Sequence, residues 1–323
     1  LRRQRQMCIR DSRWAASLEV VASVTFPQRH QSRRTWLLRD APTTLPEEYL
    51  LHFDPSIGTE NLGDEIIAAA VTTALREMCP ESRLLTAPTG QAPAWRMARL
   101  ARQARLNIIG GANTVSPHRL LYSGWKISGL SMAMDVRYLL MGVGRFGTAS
   151  MDPFSAAIYR RSLHRDLPHS CRDEATASLV ATLGVRTMNT GCPTMWSLTP
   201  EHCAAIPRQR GESVVFTLTH YLAAPQFDRA LLQQLRRFYD RLCFWPQQLG
   251  DLSYLRWLAG GQLPGDVRVL TPTVDAFSTR LRVAGTDYVG TRLHAGVLAL
   301  SLGRRALVVA VDNRAPDIAR DTG

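Results

Sequence analysis

The sequence has almost no lysine: Lys126 is the only one, so arginine supplies nearly all of the positive charge. Its six cysteines form no C-x-x-C pair and no cluster with histidine at zinc-site spacing, which excludes the common structural zinc sites. This cysteine usage is typical of a reduced, cytosolic chain, and we expect no bound metal. The longest apolar stretch, residues 295–311, is interrupted by Arg304 and Arg305. No segment therefore approaches the roughly 20 apolar residues that a spanning helix needs.

The remaining composition is that of an ordinary globular protein, with 45% hydrophobic and 20% charged residues. These values exclude a disordered, collagenous or membrane-embedded chain. A length of 323 residues favours two domains, each large enough to bury its own core.

The net charge of +12 is distributed unevenly. Residues 1–39 contain nine arginines against Asp11 and Glu19, which accounts for +7 of the total. A GC-rich genome explains most of the arginine, but the planar guanidinium also suits recognition of carboxylate and phosphate. A basic protein that binds nucleic acid or a membrane surface is a distant alternative, because the N-terminal stretch lacks interleaved aromatic residues and an amphipathic period.

The N-terminal segment resembles a non-native addition. The sequence has no initiator Met, and Met7 to Ser12 reads like a translated sequencing adapter. We therefore expect residues 1–40 to be a non-native or disordered basic segment and exclude them from fold reasoning. The prolines at 193, 200 and 207, with the polar residues 208–212, predict a linker. The expected domains are residues 41–205 and 206–323.

Short apolar runs alternate with helical stretches from about residue 48 onward, which predicts βαβ units and a mostly parallel sheet. In the first domain, buried strands at 106–109 and 138–143 each end at a glycine turn, where ligands gather in open α/β sheets. The remaining first-domain elements are a strand at 49–53 and a helix at 64–78. In the second domain we expect strands at 213–218, 242–245, 267–270, 287–289 and 306–311, and helices at 228–241, 274–283 and 292–302.

Three strand-to-helix connections carry candidate functional residues. The first contains Asn61, Gly63 and Asp64. Glycine permits close approach of the backbone to a ligand, and the following helix N-terminus offers N–H groups to an anion or a sugar oxygen. Capping and dipole effects explain Asp64 equally well, and we interpret Glu65 as a capping residue only.

The second connection, residues 170–176, contains Arg172 directly before Asp173 and Glu174. The acidic residues suit a helix start, whereas a cation there opposes the helix dipole. The arginine has a reason to be there if it binds an anion together with the helix N-terminus. A surface arginine paired with a nearby acid is the alternative.

The third connection is the most informative: Gly290 ends a strand, and Thr291, Arg292 and His294 open an apolar helix. Arginine and histidine at a helix start need a compensating anion. Histidine is also the natural proton donor near neutral pH. The residues therefore predict an anion site with an acid–base group.

Four blocks of the sequence resemble the polysaccharide pyruvyl transferase family in order and separation. They are NLGDEII (61–67), NIIGGANTVS (107–116), SCRDEATASLVATLGV (170–185) and DYVGTRLHAGVLALSLGRRALVVAVDNR (287–314). The most specific are the R-D-E helix start and the R-L-H block. The blocks span nearly all of the chain from residue 50 onward.

The resemblance implies a GT-B-like fold, with two Rossmann-like domains facing across a cleft. It implies transfer of a pyruvyl group from phosphoenolpyruvate, without a cofactor, to two hydroxyls of a sugar or lipid-linked oligosaccharide. The product would be a cyclic ketal in bacterial exopolysaccharide or cell-wall glycan biosynthesis. The expected location is the cytoplasm or the inner face of the membrane, and no nucleic-acid partner is expected. A GT-B glycosyltransferase that uses a nucleotide sugar is the alternative enzyme.

The resemblance also implies roles for individual residues. Arg172 and Arg292 would bind the donor, His294 would be the general acid, and Asp64 would act as a base or orient an acceptor hydroxyl. The other predicted substrate-binding residues are Asn61, Gly63, Gly110, Gly111, Gly290 and Thr291.

The sequence departs from the family pattern in two places. Ala112 replaces a third glycine that many members have, so the first-domain turn is expected to differ in shape. The chain also stops at Gly323, where relatives continue with closing helices, so we expect the second domain to be truncated.

Overall fold

The computed structural model describes residues 7–8, 49–312 and 314–322. The predicted non-native segment 1–40 lies outside this part of the chain, apart from Met7 and Cys8. The contacts divide the chain into two compact units. The N-terminal unit contains residues 49–59 and 67–196, and the C-terminal unit contains residues 60–66 and everything from Ser197 onward, together with Met7 and Cys8.

The strands of the N-terminal unit are β2 (Tyr49–Asp54), β3 (Arg83–Pro88), β4 (Leu106–Gly110), β5 (Tyr138–Met141), β6 (His169–Cys171) and β7 (Thr187–Asn189). They form a four-stranded parallel sheet in the order β3-β2-β4-β5 and a separate parallel pair, β6-β7. Its helices are α2 (Trp95–Gln103), α3 (Gly129–Ala133), α4 (Pro153–Ser162) and α5 (Glu174–Ala181). The first helix of the chain, α1 (Leu62–Met78), begins in the C-terminal unit and continues into this one.

Both faces of this sheet are buried, and successive side chains of a strand point to opposite faces. Leu51 and Ile109 belong to one hydrophobic cluster, which includes residues of α4 and α5. Their neighbours Leu50 and Ile108 belong to a second cluster, which includes residues of α1. Continuous apolar runs, rather than alternating ones, are therefore what this sheet requires.

The strands of the C-terminal unit are β8 (Ser213–Thr217), β9 (Arg241–Phe244), β10 (Val267–Val269), β11 (Thr286–Gly290) and β12 (Ala306–Val308). These five are parallel, in the order β12-β11-β8-β9-β10, and the short strand β1 (Met7–Cys8) is antiparallel to β12. The helices are α6 (Pro200–Ala204), α7 (Pro225–Phe238), α8 (Asp251–Leu258), α9 (Val274–Arg282), α10 (Leu293–Ser301) and α11 (Arg314–Thr322).

The α/β class with mostly parallel sheets is confirmed. Element boundaries differ from the sequence expectation by a few residues: α1 begins at Leu62 rather than 64, and β12 ends at Val308 rather than 311. Gly63 therefore lies in the first helical turn and not in the preceding loop. The sequence reading missed β3, whose strand is the least buried of its sheet and so lacks a continuous apolar run.

Candidate functional site

Arg172 lies between the end of β6 and the start of α5, and its backbone N–H donates to the carbonyl of Val143. The N-cap of α5 is Asp173, whose Oδ1 accepts from the backbone N (2.7 Å) and the Oγ1 (2.6 Å) of Thr176. The carboxylate thus satisfies the helix start, as expected for an N-cap. Arg172 precedes the helix, and its side chain has another environment.

The guanidinium of Arg172 is buried with most of its hydrogen-bonding capacity unused. The residue is 2% exposed, and its Nε donates to Asp173 Oδ2 at 3.2 Å. Neither Nη1 nor Nη2 has a partner among the described residues. Gly144 lies against it so closely that a Cβ there would be 2.3 Å from Cζ. Buried unpaired donors are costly, and a bound anion would satisfy both of these nitrogens.

A second arginine, Arg145, follows Gly144 after the end of β5, and the sequence reading missed it. Its backbone N–H donates to Thr176 Oγ1 (2.9 Å), which ties this loop to the start of α5. Its Nε is buried and has no partner in the described part of the chain. The signal that could have found it is its place directly after Gly144, the glycine turn that follows the predicted strand at 138–143.

Two buried cysteines, Cys171 and Cys192, lie near Arg172 and are not activated as nucleophiles. Burial raises the pKa of Cys171 and of Cys192, while the positive charge of Arg172 opposes this shift at Cys192. Both sulfurs are therefore thiols near neutral pH, and a thiolate is the reactive form.

The two glycines after β4 have packing reasons to be glycine. A Cβ on Gly110 would lie 2.5 Å from Nε2 of the buried His52 and 2.7 Å from Val71 Cγ1. Gly111 has φ +58°, and a Cβ there would lie 2.1 Å from Ile67 Cγ2. The predicted substrate-binding role of both residues stays a prediction.

Ala112 adopts φ +55°, in the left-handed region. The turn thus keeps a conformation that favours glycine, even though alanine occupies the position. Burial lowers the pKa of His52, beneath this turn, to about 4, although Asp54 opposes the shift.

In the C-terminal unit, Arg292 is the N-cap residue of α10 and is 2% exposed. Its Nη2 donates to both carboxylate oxygens of Asp251, at 2.7 and 2.8 Å, and its Nη1 donates to Gln248 Oε1 at 3.2 Å. Its Cζ lies 4.9 Å from the ring centroid of Tyr221. The compensating anion that the sequence predicts near Arg292 is thus present within the protein, as Asp251.

Asp251 connects several groups at the start of α8. Besides Arg292, it accepts from the backbone N of Gln247 and Gln248, at 3.2 and 3.0 Å. It also accepts from His220, through the backbone N (3.2 Å) and the Nδ1 (3.0 Å). The sequence reading missed Asp251 and His220, because neither is near Arg292 in the chain.

The segment before α8 also holds the Asn61 connection. Asn61 Oδ1 accepts from Gln247 Nε2 at 2.8 Å and from the N–H of Gly63 at 3.1 Å. A Cβ on Gly63 would lie 2.7 Å from Gln247 Nε2, so glycine is needed for this approach. Asp64 is half-buried in the first turn of α1. Since Gln247 binds Asn61 and its neighbour Gln248 binds Arg292, one loop brings two of the predicted connections together.

The remaining predicted residues lie at the end of β11. A Cβ on Gly290 would be 2.2 Å from Thr217 Oγ1, and Thr291 Oγ1 lies 2.8 Å from Thr219 Oγ1. Both residues therefore join β11 to the end of β8. His294 is buried in the first turn of α10. In the residues that the structure describes, no three metal-ligating side chains come together, and no helix has the length and apolarity to cross a membrane.

These features define a class: an α/β protein with two parallel-sheet units, each with a buried arginine where a strand leads into a helix. The sequence model of the polysaccharide pyruvyl transferases matches residues 61–313. The chain belongs to that family, as its four sequence blocks predict. The family implies a transferase that acts on a sugar or polysaccharide acceptor.

Other comparisons add little. No curated protein matches the chain significantly. Among solved structures, the chain is similar to UDP-GlcNAc 2-epimerase of Methanocaldococcus jannaschii in complex with UDP-GlcNAc and UDP, with a TM-score of 0.40 and 9% identity. The match covers 80% of this chain and 82% of that one. A likeness this weak says nothing about activity.

Proposed function

We infer that the protein transfers a pyruvyl group from phosphoenolpyruvate to two hydroxyls of one sugar. The observation that carries this proposal is Arg172, with two buried guanidinium nitrogens that have no partner among the described residues. Phosphoenolpyruvate carries a phosphate and a carboxylate, each of which accepts two parallel hydrogen bonds from an arginine fork. Arg145, whose backbone N–H donates to Thr176 Oγ1 at the start of α5, also has a buried Nε without a described partner and is proposed as a further donor.

In the proposed reaction, a proton adds to the methylene carbon of the donor while one acceptor hydroxyl adds to the central carbon and loses its proton. The phosphate then leaves, and the second hydroxyl adds to the same carbon and loses its proton, which closes the ketal. His294 is the proposed proton donor and Asp64 the proposed proton acceptor, from the family motif positions that they occupy. Arg292 is the second proposed donor-binding residue, oriented by Asp251.

The finer context belongs to the same proposal. The acceptor would be a sugar unit, free or lipid-linked, of an exopolysaccharide or cell-wall glycan, in the cytoplasm or at the inner membrane face. No cofactor is proposed, because both substrates and the acid–base groups named above suffice for the proton and electron balance. Asn61, Gly63, Gly110, Gly111, Gly290 and Thr291 remain proposed substrate-binding residues.

Donor binding tests the proposal directly. Phosphoenolpyruvate should raise the melting temperature of the wild-type protein, and Arg172→Met should weaken its affinity by more than about tenfold, since each hydrogen bond to a charged group contributes about 1.5–3 kcal/mol. The control is Arg160→Met, which removes an exposed arginine of the same unit.

The two enzyme classes respond to different ligands. A wild-type melting curve that saturating phosphoenolpyruvate leaves unmoved would refute the proposal. A shift with UDP instead would favour a nucleotide-sugar glycosyltransferase. Incubation with candidate glycans should release phosphate and add one pyruvyl group to the acceptor, as detected by mass spectrometry.

A further inference from the structure

The loop between β4 and α3 exposes an unusual group of large apolar side chains. Leu120 is 81% and Leu121 is 87% exposed. Beside them, Tyr122 and Phe146 are also exposed, and their rings stack with centroids 4.0 Å apart. We call these four residues the Leu121 surface. Contiguous exposed apolar side chains of this kind mark contact sites.

Hydrogen bonds and a buried tryptophan fix the conformation of this loop, so the fold itself leaves the two leucines exposed. Trp125 is fully buried, and its carbonyl accepts from Arg119 Nη2 at 2.7 Å. The same guanidinium donates to Tyr159 Oη at 3.1 Å and lies 4.9 Å from the centroid of that ring. The backbone N of Arg119 donates to Ser155 Oγ at 2.9 Å. These contacts fix both sides of the leucine pair and leave its side chains outside.

The stretch of chain that contains the two leucines is positively charged. Residues 82–134 contain six arginines and Lys126 but no aspartate or glutamate. Lys126 is exposed, and its backbone N–H donates to the carbonyl of Thr89 at 3.0 Å, beside the loop that leads to exposed Trp95 and Arg96 at the start of α2. Asp152 is the N-cap of α4: its Oδ1 accepts from the backbone N of Ser155 at 2.9 Å, and its Oδ2 lies 3.2 Å from His118 Nδ1.

We propose that the Leu121 surface binds the protein peripherally to a bilayer that contains anionic phospholipids. Adjacent leucines and aromatic rings would enter the region between the headgroups and the acyl chains, while Lys126 and Arg96 would attract the negative headgroups. A sugar ligand fits this surface less well, because the rings of Tyr122 and Phe146 stack on each other and the two most exposed side chains, Leu120 and Leu121, offer neither a hydrogen bond nor a ring. A second copy of the chain would gain no charge complementarity from residues 82–134, because every aspartate, glutamate, lysine or arginine among them is a cation.

This inference is independent of the pyruvyl transfer proposed above, since vesicle binding needs neither donor nor acceptor. It would place the enzyme at the surface where a lipid-linked acceptor lies. Donor binding and vesicle binding are measured separately, so either proposal can fail without the other.

Flotation of the full-length protein with vesicles tests the proposal. The wild type should float with vesicles of phosphatidylcholine and phosphatidylglycerol, and less well with pure phosphatidylcholine or at high salt. Leu121→Ser should weaken partitioning about 3- to 10-fold, and Leu120→Ser/Leu121→Ser more strongly, because the buried apolar area is lost. Lys126→Glu should weaken binding to the anionic vesicles about fivefold or more.

The matched control is Leu249→Ser, because Leu249 is 80% exposed but lies in the C-terminal unit. The arginines of residues 1–39 are present in every variant, so differences between variants report on the Leu121 surface alone. Absence of flotation, equal flotation of the wild type and Leu120→Ser/Leu121→Ser, or equal losses in Leu121→Ser and Leu249→Ser would overturn the proposal.

Two further outcomes would replace it. A concentration-dependent dimer in sedimentation that Leu121→Ser dissociates would identify a second copy of the chain as the occupant. Tight, salt-dependent binding of a labelled oligonucleotide, with no vesicle binding, would identify a soluble polyanion as the ligand.

Discussion

Arg172 and Arg292 have equivalent places in the two units: each follows a parallel strand, precedes an apolar helix and is 2% exposed. Their partners differ. Both Nη atoms of Arg292 are paired, with Asp251 and Gln248, and only its Nε lacks a described partner, whereas Arg172 pairs only its Nε, with Asp173, and leaves two nitrogens without a described partner. The same residue type at the same kind of position thus has most of its donors paired within the protein in one unit and most of them left for a ligand in the other.

The difference follows from what each neighbouring carboxylate already does. Asp173 caps α5 through Oδ1, so only Oδ2 faces Arg172. Asp251 lies on another element and directs both oxygens at Arg292. A sequence pattern that shows an arginine at a helix start therefore identifies a need for an anion, but not whether the protein or a substrate supplies it.

The largest expected effect concerns Arg292 and its counter-charge, Asp251. Asp251→Asn should lower the free energy of unfolding of the C-terminal unit by about 3–5 kcal/mol, because it leaves Arg292 buried without its counter-charge. Arg172→Met should cost less than Asp251→Asn, because buried Asp173 loses one contact but keeps the backbone N–H and the hydroxyl of Thr176 as partners. Urea unfolding followed by tryptophan fluorescence measures both.

The control for this pair is Asp266→Asn, which breaks the exposed Arg236–Asp266 pair and should cost less than about 1 kcal/mol. If Asp251→Asn costs no more than this control, Arg292 does not depend on its internal anion, and the contrast between the two arginines disappears.

The second prediction concerns acid, and it applies to the N-terminal unit. Burial lowers the pKa of both His52 and His169 from 6.5 to about 4. Below pH 6.5 the unfolded chain binds protons that the folded unit does not, so stability should fall as pH drops towards 4 and be constant above 6.5. The loss should reach about 3 kcal/mol for each histidine.

A leucine at one of these positions separates the contributions. His52→Leu should remove about half of the pH dependence in urea unfolding between pH 6.5 and 4.5. Leu50→Val, a core substitution in the same strand, should lower stability equally at every pH. An unchanged slope in His52→Leu would show that His52 takes up its proton without unfolding.

The smallest expected effect concerns the glycine turn beside the open site. Ala112→Gly should raise the free energy of unfolding by about 1 kcal/mol, because alanine at φ +55° adopts a left-handed conformation that costs about 1–2 kcal/mol. Gly111→Ala should destabilise by more than that, since its Cβ would also overlap Ile67. A loss of stability in Ala112→Gly would contradict this account of the turn.

Much of the fold could be predicted from the sequence. The buried strands β2, β4 and β8 are mostly apolar, and such runs between helical stretches have few other solutions than a parallel sheet. β3 could not be predicted in this way, because only part of it is buried. The start of α1 shifted by two residues, since Gly63 fits the first turn once Gln247 packs on it.

The candidate site was predictable only in part. Arg172 and Arg292 stand out because a cation at a helix start opposes the helix dipole. Asn61 stands out because it lies just before Gly63 and a helix N-terminus, where a ligand can approach the backbone. Asp251 and Gln247 give no such signal, since an aspartate that opens a helix and a glutamine in a loop are common in any sequence. Asp251 matters because it binds Arg292, which is 41 positions away in the chain, and Gln247 because it binds Asn61, which is 186 positions away.

The sequence by itself determined the α/β class, the family and the positions where a cation meets a helix N-terminus, because periodicity, glycine placement and residue type are local properties. Only the tertiary structure decided that Asp251 neutralises Arg292, that Arg172 keeps two buried donors without a described partner, and that Leu120 and Leu121 face outward. Charge compensation and burial depend on which distant segments pack together, and that information is not local to any stretch of the chain.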